Sequence, residues 1–421
     1  MSDPSLWQER YPGRAFPPLD SEHRAEVCVV GAGVTGASCA WRLLEHGVGV
    51  TVVDGRRAAA AASGRNGGVA VTGTGLDHDE LASRIGEAGA RGIQAATESS
   101  LDAMIALAAE LGVPRAVRRT GSLWVAQDEH ERAAIERVLL AAPAAGIPCR
   151  PAADLIPEPM RDRCDTAAYF PRDAELLPAT WVRALAAAAA DRGAALFEHS
   201  PVTGLERRGD GWAVHAGGGT VHAQAVVVAC DGLIPRLLPQ LDGVIYPVRG
   251  QVLATEPLQH GPLSYPTHSQ SGFMYYRPTD DGRVVVGGGR LEQLEHEYTD
   301  EETVTAGVQA RLDAFLAEWL GLGGARVTHR WAGVMGFSAD LLPVVGELPD
   351  SPGIYVAGGY SGVGNVLGHL CGSIAADLIA TGMHRQAPAL DVGRFDLSSP
   401  VDQLERRRSR EHARRLALAP P

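Results

Sequence analysis

Three observations on this 421-residue sequence predict an α/β fold, α+β overall, with a discontinuous Rossmann-like domain and an inserted antiparallel-sheet domain. An apolar strand, a glycine turn, a helix, a second apolar strand and an acid follow one another within 26–54. A further apolar strand lies at 225–229. A third, at 354–357, leads through a glycine run into a helix. The pieces of the first domain are thus separated in the chain, and 246–290, strand-like with a turn at 279–282, falls between them.

Residues 1–23 carry Pro4, Pro12, Pro17 and Pro18 and read as an extended arm. The strand 26–30 then meets Gly31, Gly33 and Gly36, the helix 37–45 and the strand 48–53, which ends at Asp54. This order is that of a dinucleotide site. Gly31 permits a tight turn, Gly33 lets a pyrophosphate approach the backbone, and Gly36 lets the helix pack close to the strand. The helix N-terminus offers free N–H groups and a positive dipole end, and Val34 and Thr35 in the turn are candidate cofactor contacts. Asp54 can accept hydrogen bonds from ribose hydroxyls, and Gly55 and Arg56 follow it into the same site.

Beyond this unit, 58–74 reads as a small-residue helical turn and a loop. The stretch 79–111 is helical and broken by Gly86, Gly89 and Gly92. A strand at 122–126 and a helix at 128–142 follow. The alanine-rich helix 180–192 stops at Gly193, and short strands come at 195–199, 202–207 and 211–215. Helices are expected at 303–320 and 365–381, and the arginine-rich 405–415 as a solvated helix. The domains drawn from these elements are a nucleotide domain of 24–85, 150–235 and 331–390, a substrate domain of 86–149 and 236–330, and a tail of 391–421.

Composition excludes whole classes. A net charge of −12 argues against a nucleic-acid surface. There is no lysine, so all 38 basic residues are arginine, and lysine Schiff-base or pyridoxal-lysine chemistry is impossible. Cys28, Cys39, Cys149, Cys164, Cys230 and Cys371 form no C-x-x-C pair and no metal-ligand spacing, so no metal is expected. The segment Met1-Ser2-Asp3-Pro4 lacks signal-peptide character and no stretch has the length of a membrane span. The expectation is a soluble cytoplasmic monomer or homodimer with no membrane partner.

Four segments together resemble the D-amino-acid-oxidase-type FAD-dependent oxidoreductases, the glycine and sarcosine oxidase group, and within it the γ-glutamylputrescine oxidase-like branch. The first is 29–36 with Asp54. The second is Ser63-Gly64-Arg65-Asn66-Gly67-Gly68. The third is 225–232, which carries Cys230 and Gly232. The fourth is Trp331-Ala332-Gly333 with 340–346 and the loop 358–364 behind it. The resemblance implies FAD, with Val202, Gly333, Gly359, Ser361, Gly362, Val363, Gly364 and Asn365 joining the cofactor contacts. A glycine loop entering a helix N-terminus also suits the negative charge of a reduced flavin. Covalent attachment in such families uses a cysteine after Trp-x-Gly or a histidine near the first loops. This chain has Val334-Met335-Gly336-Phe337 and no histidine in 63–68, which implies non-covalent FAD.

The reaction so implied is oxidation of a small-molecule amine: hydride leaves the α-carbon for flavin N5, the imine hydrolyses, and O2 is the expected acceptor, giving H2O2. A dehydrogenase with another acceptor and a non-catalytic flavin-binding protein are the alternatives. Val285 aligns with the oxygen-activating lysine of sarcosine-type members. Met335 aligns with the carboxylate-binding arginine of glycine and D-amino acid oxidases, which counts against a simple α-amino acid. Tyr275, Tyr276 and Arg277 alternate along one strand and are candidate substrate contacts. Arg249 or Arg277 could hold a remote carboxylate, Met335 stands at the substrate-carboxylate position, and Trp331 and Tyr360 are expected to flank the flavin. His268 reads as a solvated loop residue able to act as a base, and His369 as a core residue.

Overall fold

The first strand, Glu22–Val30, alternates between exposed and half-buried over its first half and is buried from Val27 to Val30. The cause is its pairing. Gly219–Val228 runs parallel to it along its whole length, whereas Val50–Val53 joins the opposite edge only from Val27 onward. A strand covered on both sides reads as a continuous apolar run rather than an alternation.

The structure, a computed structural model, describes residues 3–398. The helix expected over 405–415 lies outside the described residues. Among those described, the strands form two eight-stranded sheets and one three-stranded sheet. The nucleotide sheet has the order Val202–Arg208, Gly211–Ala216, Gly219–Val228, Glu22–Val30, Val50–Val53, Ala195–Phe197. Ile354–Gly358 adds in parallel to the end of Gly219–Val228, and Val344–Glu347 pairs with it antiparallel. The discontinuous sheet expected from the sequence is therefore formed by strands from both ends of the chain. The helices Val34–Glu45, Pro178–Asp191 and Gly364–Thr381 contribute Leu43, Leu185 and Ile374 to one apolar core with its strands.

The second sheet runs Val327–Ser338, Ile245–Thr255, Val284–Gly288, Met274–Pro278, Thr267–Ser269, Ser122–Val125, Ala167–Phe170, Arg150–Pro151. Its pairings are antiparallel except that between Thr267–Ser269 and Ser122–Val125. Helix Ala306–Glu318 packs Leu312, Phe315 and Leu316 against Leu253, Tyr276 and Val286 of this sheet. The ranges drawn above at 150 and 331 fall inside the sheet: 150–170 supplies two of its strands, and Val327–Ser338 crosses the second boundary. Short strands take their sheet from a distant partner, which no local pattern carries.

Three further differences bear on the site. The proline-bearing arm contains a helix, Leu6–Arg10, closed by a capping box between Ser5 and Gln8, and Leu6 and Trp7 are buried. The long helix His78–Glu110 breaks only at Gly86, which has φ 77° and ψ 158°, and stays helical through Gly89 and Gly92. The segment expected to start a tail at 391 instead packs: Val392 is buried, and Arg394 donates to both carboxylate oxygens of Asp340 at 2.8 and 3.1 Å.

Candidate active site

At the first turn, Gly31 has φ 108°, and a Cβ there would stand 2.8 Å from the carbonyl oxygen of Ala229. A Cβ on Gly36 would overlap the carbonyl oxygen of Gly31. Both side chains are excluded because the helix starts directly over the strand end. That helix begins at Val34, with Gly33 as its N-cap, so its first-turn N–H groups are left over by the helix itself. Asp54 accepts from the amides of Ala32 and Arg56, both at 2.7 Å; burial pushes its pKa up and these two bonds oppose the shift. Arg56 makes a two-bond ion pair with Glu302 at 2.5 and 3.1 Å. Gly55 lies against Pro201, beside half-buried Val202. Burial holds the half-exposed Cys230 thiol up at about 12, so it is protonated and not a nucleophile.

The second loop is tied to this turn and to the far end of the chain. Ser63 Oγ accepts from the amide of Val34 at 3.0 Å. Asn66 exchanges amide hydrogen bonds with Asn365 at 3.0 and 3.2 Å, and its Oδ1 accepts from Gly68 N at 2.9 Å. The arm fastens the loop from outside: Ser5 Oγ donates to Gly64 O at 2.5 Å and the Trp7 indole donates to Asn66 O at 2.8 Å. Arg65 is turned inward, donating to the carbonyls of Ala332 at 3.0 Å and Ala60 at 3.1 Å. The indole of Trp331 donates to Arg65 O at 2.7 Å, and Gly333 packs against the Arg65 side chain.

The third loop hangs on Asp231. Its carboxylate accepts from Gly336 N at 2.6 Å and Gly359 N at 2.9 Å, joining the end of the second sheet to the loop 358–364. Gly232 sits against the carbonyl of Met335. Ser361, at φ 52°, donates its amide to Gly336 O at 2.9 Å, and Gly364 opens the helix Gly364–Thr381.

These loops enclose a cavity of about 650 Å³. Asn66, Gly67, Gly333, Gly362, Val363 and Asn365 line it, together with Tyr275 and Met335. Four other candidates lie behind this wall. Tyr276 is fully buried in the second domain's core, its hydroxyl 3.4 Å from Met160 Sδ. Arg277 is 2 % exposed and donates to Gly68 O at 2.6 Å and Leu176 O at 2.8 Å, with Glu175 at 3.2 Å. Trp331 is fully buried beneath the second loop. Tyr360 is buried with its hydroxyl 2.7 Å from Thr35 Oγ1, between two helices. Arg249 is likewise committed, to Glu297 at 2.8 Å through two nitrogens. These side chains brace the cradle; strand alternation alone cannot tell bracing from contact.

His268 differs from the solvated loop residue expected. It lies on Thr267–Ser269, opposite Tyr275, and stacks on Trp124 with ring centroids 5.7 Å apart and 25° between planes. Both rings line the cavity. Burial holds the His268 pKa down to about 4, so the imidazole is neutral, and pushes the Tyr275 phenol up to about 12. Sequence reading missed Trp124, Phe273, Asp231 and Glu302. Trp124 stands in a recognised strand, but the parallel pairing that places it beside His268 has no local signal.

The geometry fits FAD: a glycine cradle that side chains would fill, an acid at the end of the second strand, and two further loops converging on one cavity. The chain matches the family of FAD dependent oxidoreductases, DAO, over residues 26–378, and it belongs to that family. It is 27% identical over 407 residues to glycine oxidase of Geobacillus kaustophilus, covering 91% of this chain and 99% of the relative. It is 28% identical over 382 residues to gamma-glutamylputrescine oxidoreductase of Escherichia coli, covering 86% and 85%. The crystal structure of the Geobacillus kaustophilus glycine oxidase superposes with a TM-score of 0.74 at 25% identity, over 89% of this chain and 98% of that one. The protein is thus an FAD-dependent oxidoreductase acting on amines or amino acids. No described helix is long and apolar enough to cross a membrane.

Proposed function

We propose that the protein binds FAD non-covalently and oxidises a primary or secondary amine, with O2 as the electron acceptor. When bound, FAD would supply the redox chemistry, accepting the hydride that the amine's α-carbon loses, and O2 would take up the two electrons as H2O2. The imine product hydrolyses in water. The observation that carries the reading is the shared cavity: the second and third loops meet there, opposite Tyr275, Met335 and His268.

Each group has a task in this reading. The start of helix Gly364–Thr381, at Gly362 and Val363, presents a positive dipole end to the cavity. The phenol of Tyr275 stays protonated and donates a hydrogen bond, and the neutral His268 ring offers an acceptor for an amine N–H. The arginines considered for a substrate carboxylate, Arg249 and Arg277, are held by Glu297, Glu175 and main-chain carbonyls. This favours an amine over an α-amino acid. A second acceptor reading, a dehydrogenase, is favoured by Val285, which is fully buried where the resemblance puts an oxygen-activating lysine.

An amine panel tests this. Anaerobic addition of a substrate amine bleaches the flavin absorption, and air restores it with H2O2 formed. Bleaching without recovery in air selects the dehydrogenase. No bleaching by any amine overturns the reading. Acid precipitation is expected to release FAD into the supernatant; colour remaining with the pellet overturns non-covalent binding.

A further inference from the structure

The cavity does not end at the flavin loops. It extends to Trp124, Phe170 and the helix Glu129–Ala144, which lines it with Ala134 and Val138 and with the polar side chains of His130 and Arg137. A glycine-sized amine would leave this extension unfilled. Of its lining, Trp124, Ala134, Val138 and Phe170 belong to a satellite apolar cluster apart from the main cores.

This extension is held in shape before anything binds. Glu131 is 1 % exposed and accepts from the Trp124 indole at 3.0 Å, from Gln127 N at 2.9 Å and from Ser271 N at 2.9 Å. One carboxylate thus fixes the tryptophan, the strand end and the loop before Phe273. With its N–H satisfied, Trp124 offers the cavity apolar ring surface, and His268, stacked against one face of the indole and paired across the sheet with Tyr275, continues the aromatic wall. Rigid aromatic rings with satisfied polar edges select apolar groups and lose little entropy on binding.

We infer that the substrate is an amine bearing a large apolar substituent of aromatic size, which lies against Trp124 and Phe170 beneath Val138 while its amino group lies near Tyr275 and the flavin loops. This rests on the amine reading above and names the substrate class for that site.

The test compares kcat/KM, from flavin bleaching and oxygen uptake by the FAD-loaded protein, for ethylamine, putrescine, glycine, phenethylamine and phenylbutylamine. The expected result is a preference of about tenfold or more for the phenyl-bearing amines over ethylamine and putrescine. Val138→Trp, which narrows the extension, is expected to lower the phenylbutylamine-to-ethylamine ratio about tenfold. The wild-type comparison stands alone if that variant does not fold. Equal or better turnover of ethylamine, putrescine or glycine overturns this inference and leaves the amine reading standing. Failure of all five amines to bleach the flavin overturns both if the broad amine panel fails too; if another amine without such a substituent succeeds, this inference alone falls.

Discussion

Asn66 and Asn365 face each other through both amides, each donating to the other's oxygen, at 3.0 and 3.2 Å, across 299 residues of sequence. Asn365 also donates to Val69 O at 2.8 Å. The pair therefore joins the second loop to the first turn of helix Gly364–Thr381, and both residues line the cavity.

Asn365→Ala removes these bonds and leaves the Asn66 amide and the Val69 carbonyl short of partners. At about 1 kcal/mol per net hydrogen bond the three lost bonds come to about 3 kcal/mol, so FAD affinity should fall roughly a hundredfold. Titration of apoprotein with FAD, followed by fluorescence quenching, measures it. An unchanged Kd would show that the pair does not shape the site. Asn66→Ala should cost about as much, and the double variant less than the sum, since the two share one interaction.

Gly36→Val should abolish FAD retention, because a Cβ there overlaps the Gly31 carbonyl. The strained turn should also lose about 2–3 kcal/mol of stability. The flavin-to-protein absorbance ratio and a denaturant melt report both. A yellow variant of normal stability would mean that the turn shifts freely.

Met335 lines the cavity and packs beside Gly250. Met335→Arg supplies a cation where the resemblance places a carboxylate-binding arginine. It is expected to raise kcat/KM for glycine about tenfold. Unchanged kinetics for glycine and alanine would remove Met335 from the substrate site.

His369 is buried on helix Gly364–Thr381, its Nδ1 2.8 Å from Ser100 Oγ, and burial lowers its pKa from 6.5 to about 4. The unfolded chain therefore binds more protons between these values, so the wild type loses stability as pH falls through that window. His369→Gln lacks this loss. Relative to the variant, the wild type should lose roughly 2 kcal/mol on going from pH 7 to pH 5. Asp173, whose pKa burial raises to about 6, acts in the opposite sense but equally in both proteins. Parallel melting curves at the two pH values would sink the assignment.

Much of the cofactor site was legible because its geometry is local. The Gly31–Gly36 spacing and the acid at Asp54 sit in one continuous strand–helix–strand unit that the structure also has, although its helix starts at Val34 rather than 37 and its second strand at Val50 rather than 48. The helix Leu6–Arg10 was hidden by flanking prolines, although Ser5 and Gln8 spell a capping box. The substrate wall was half legible. Alternation separated Tyr275 from Tyr276, but it could not say that Arg277, on Tyr275's face, spends its guanidinium on Gly68 and Leu176.

By itself the sequence settles what neighbours in the chain decide: a strand must turn sharply into a helix at Gly31–Gly36, and a chain without lysine has no lysine chemistry. Only the tertiary structure decides what distant residues do to one another. It pairs Asn66 with Asn365, lays His268 on Trp124, and commits Arg249 and Arg277 to bracing. The physical reason is that backbone turns answer to local sterics, while strand pairing and the burial of a charge answer to whichever partners the whole fold brings within reach.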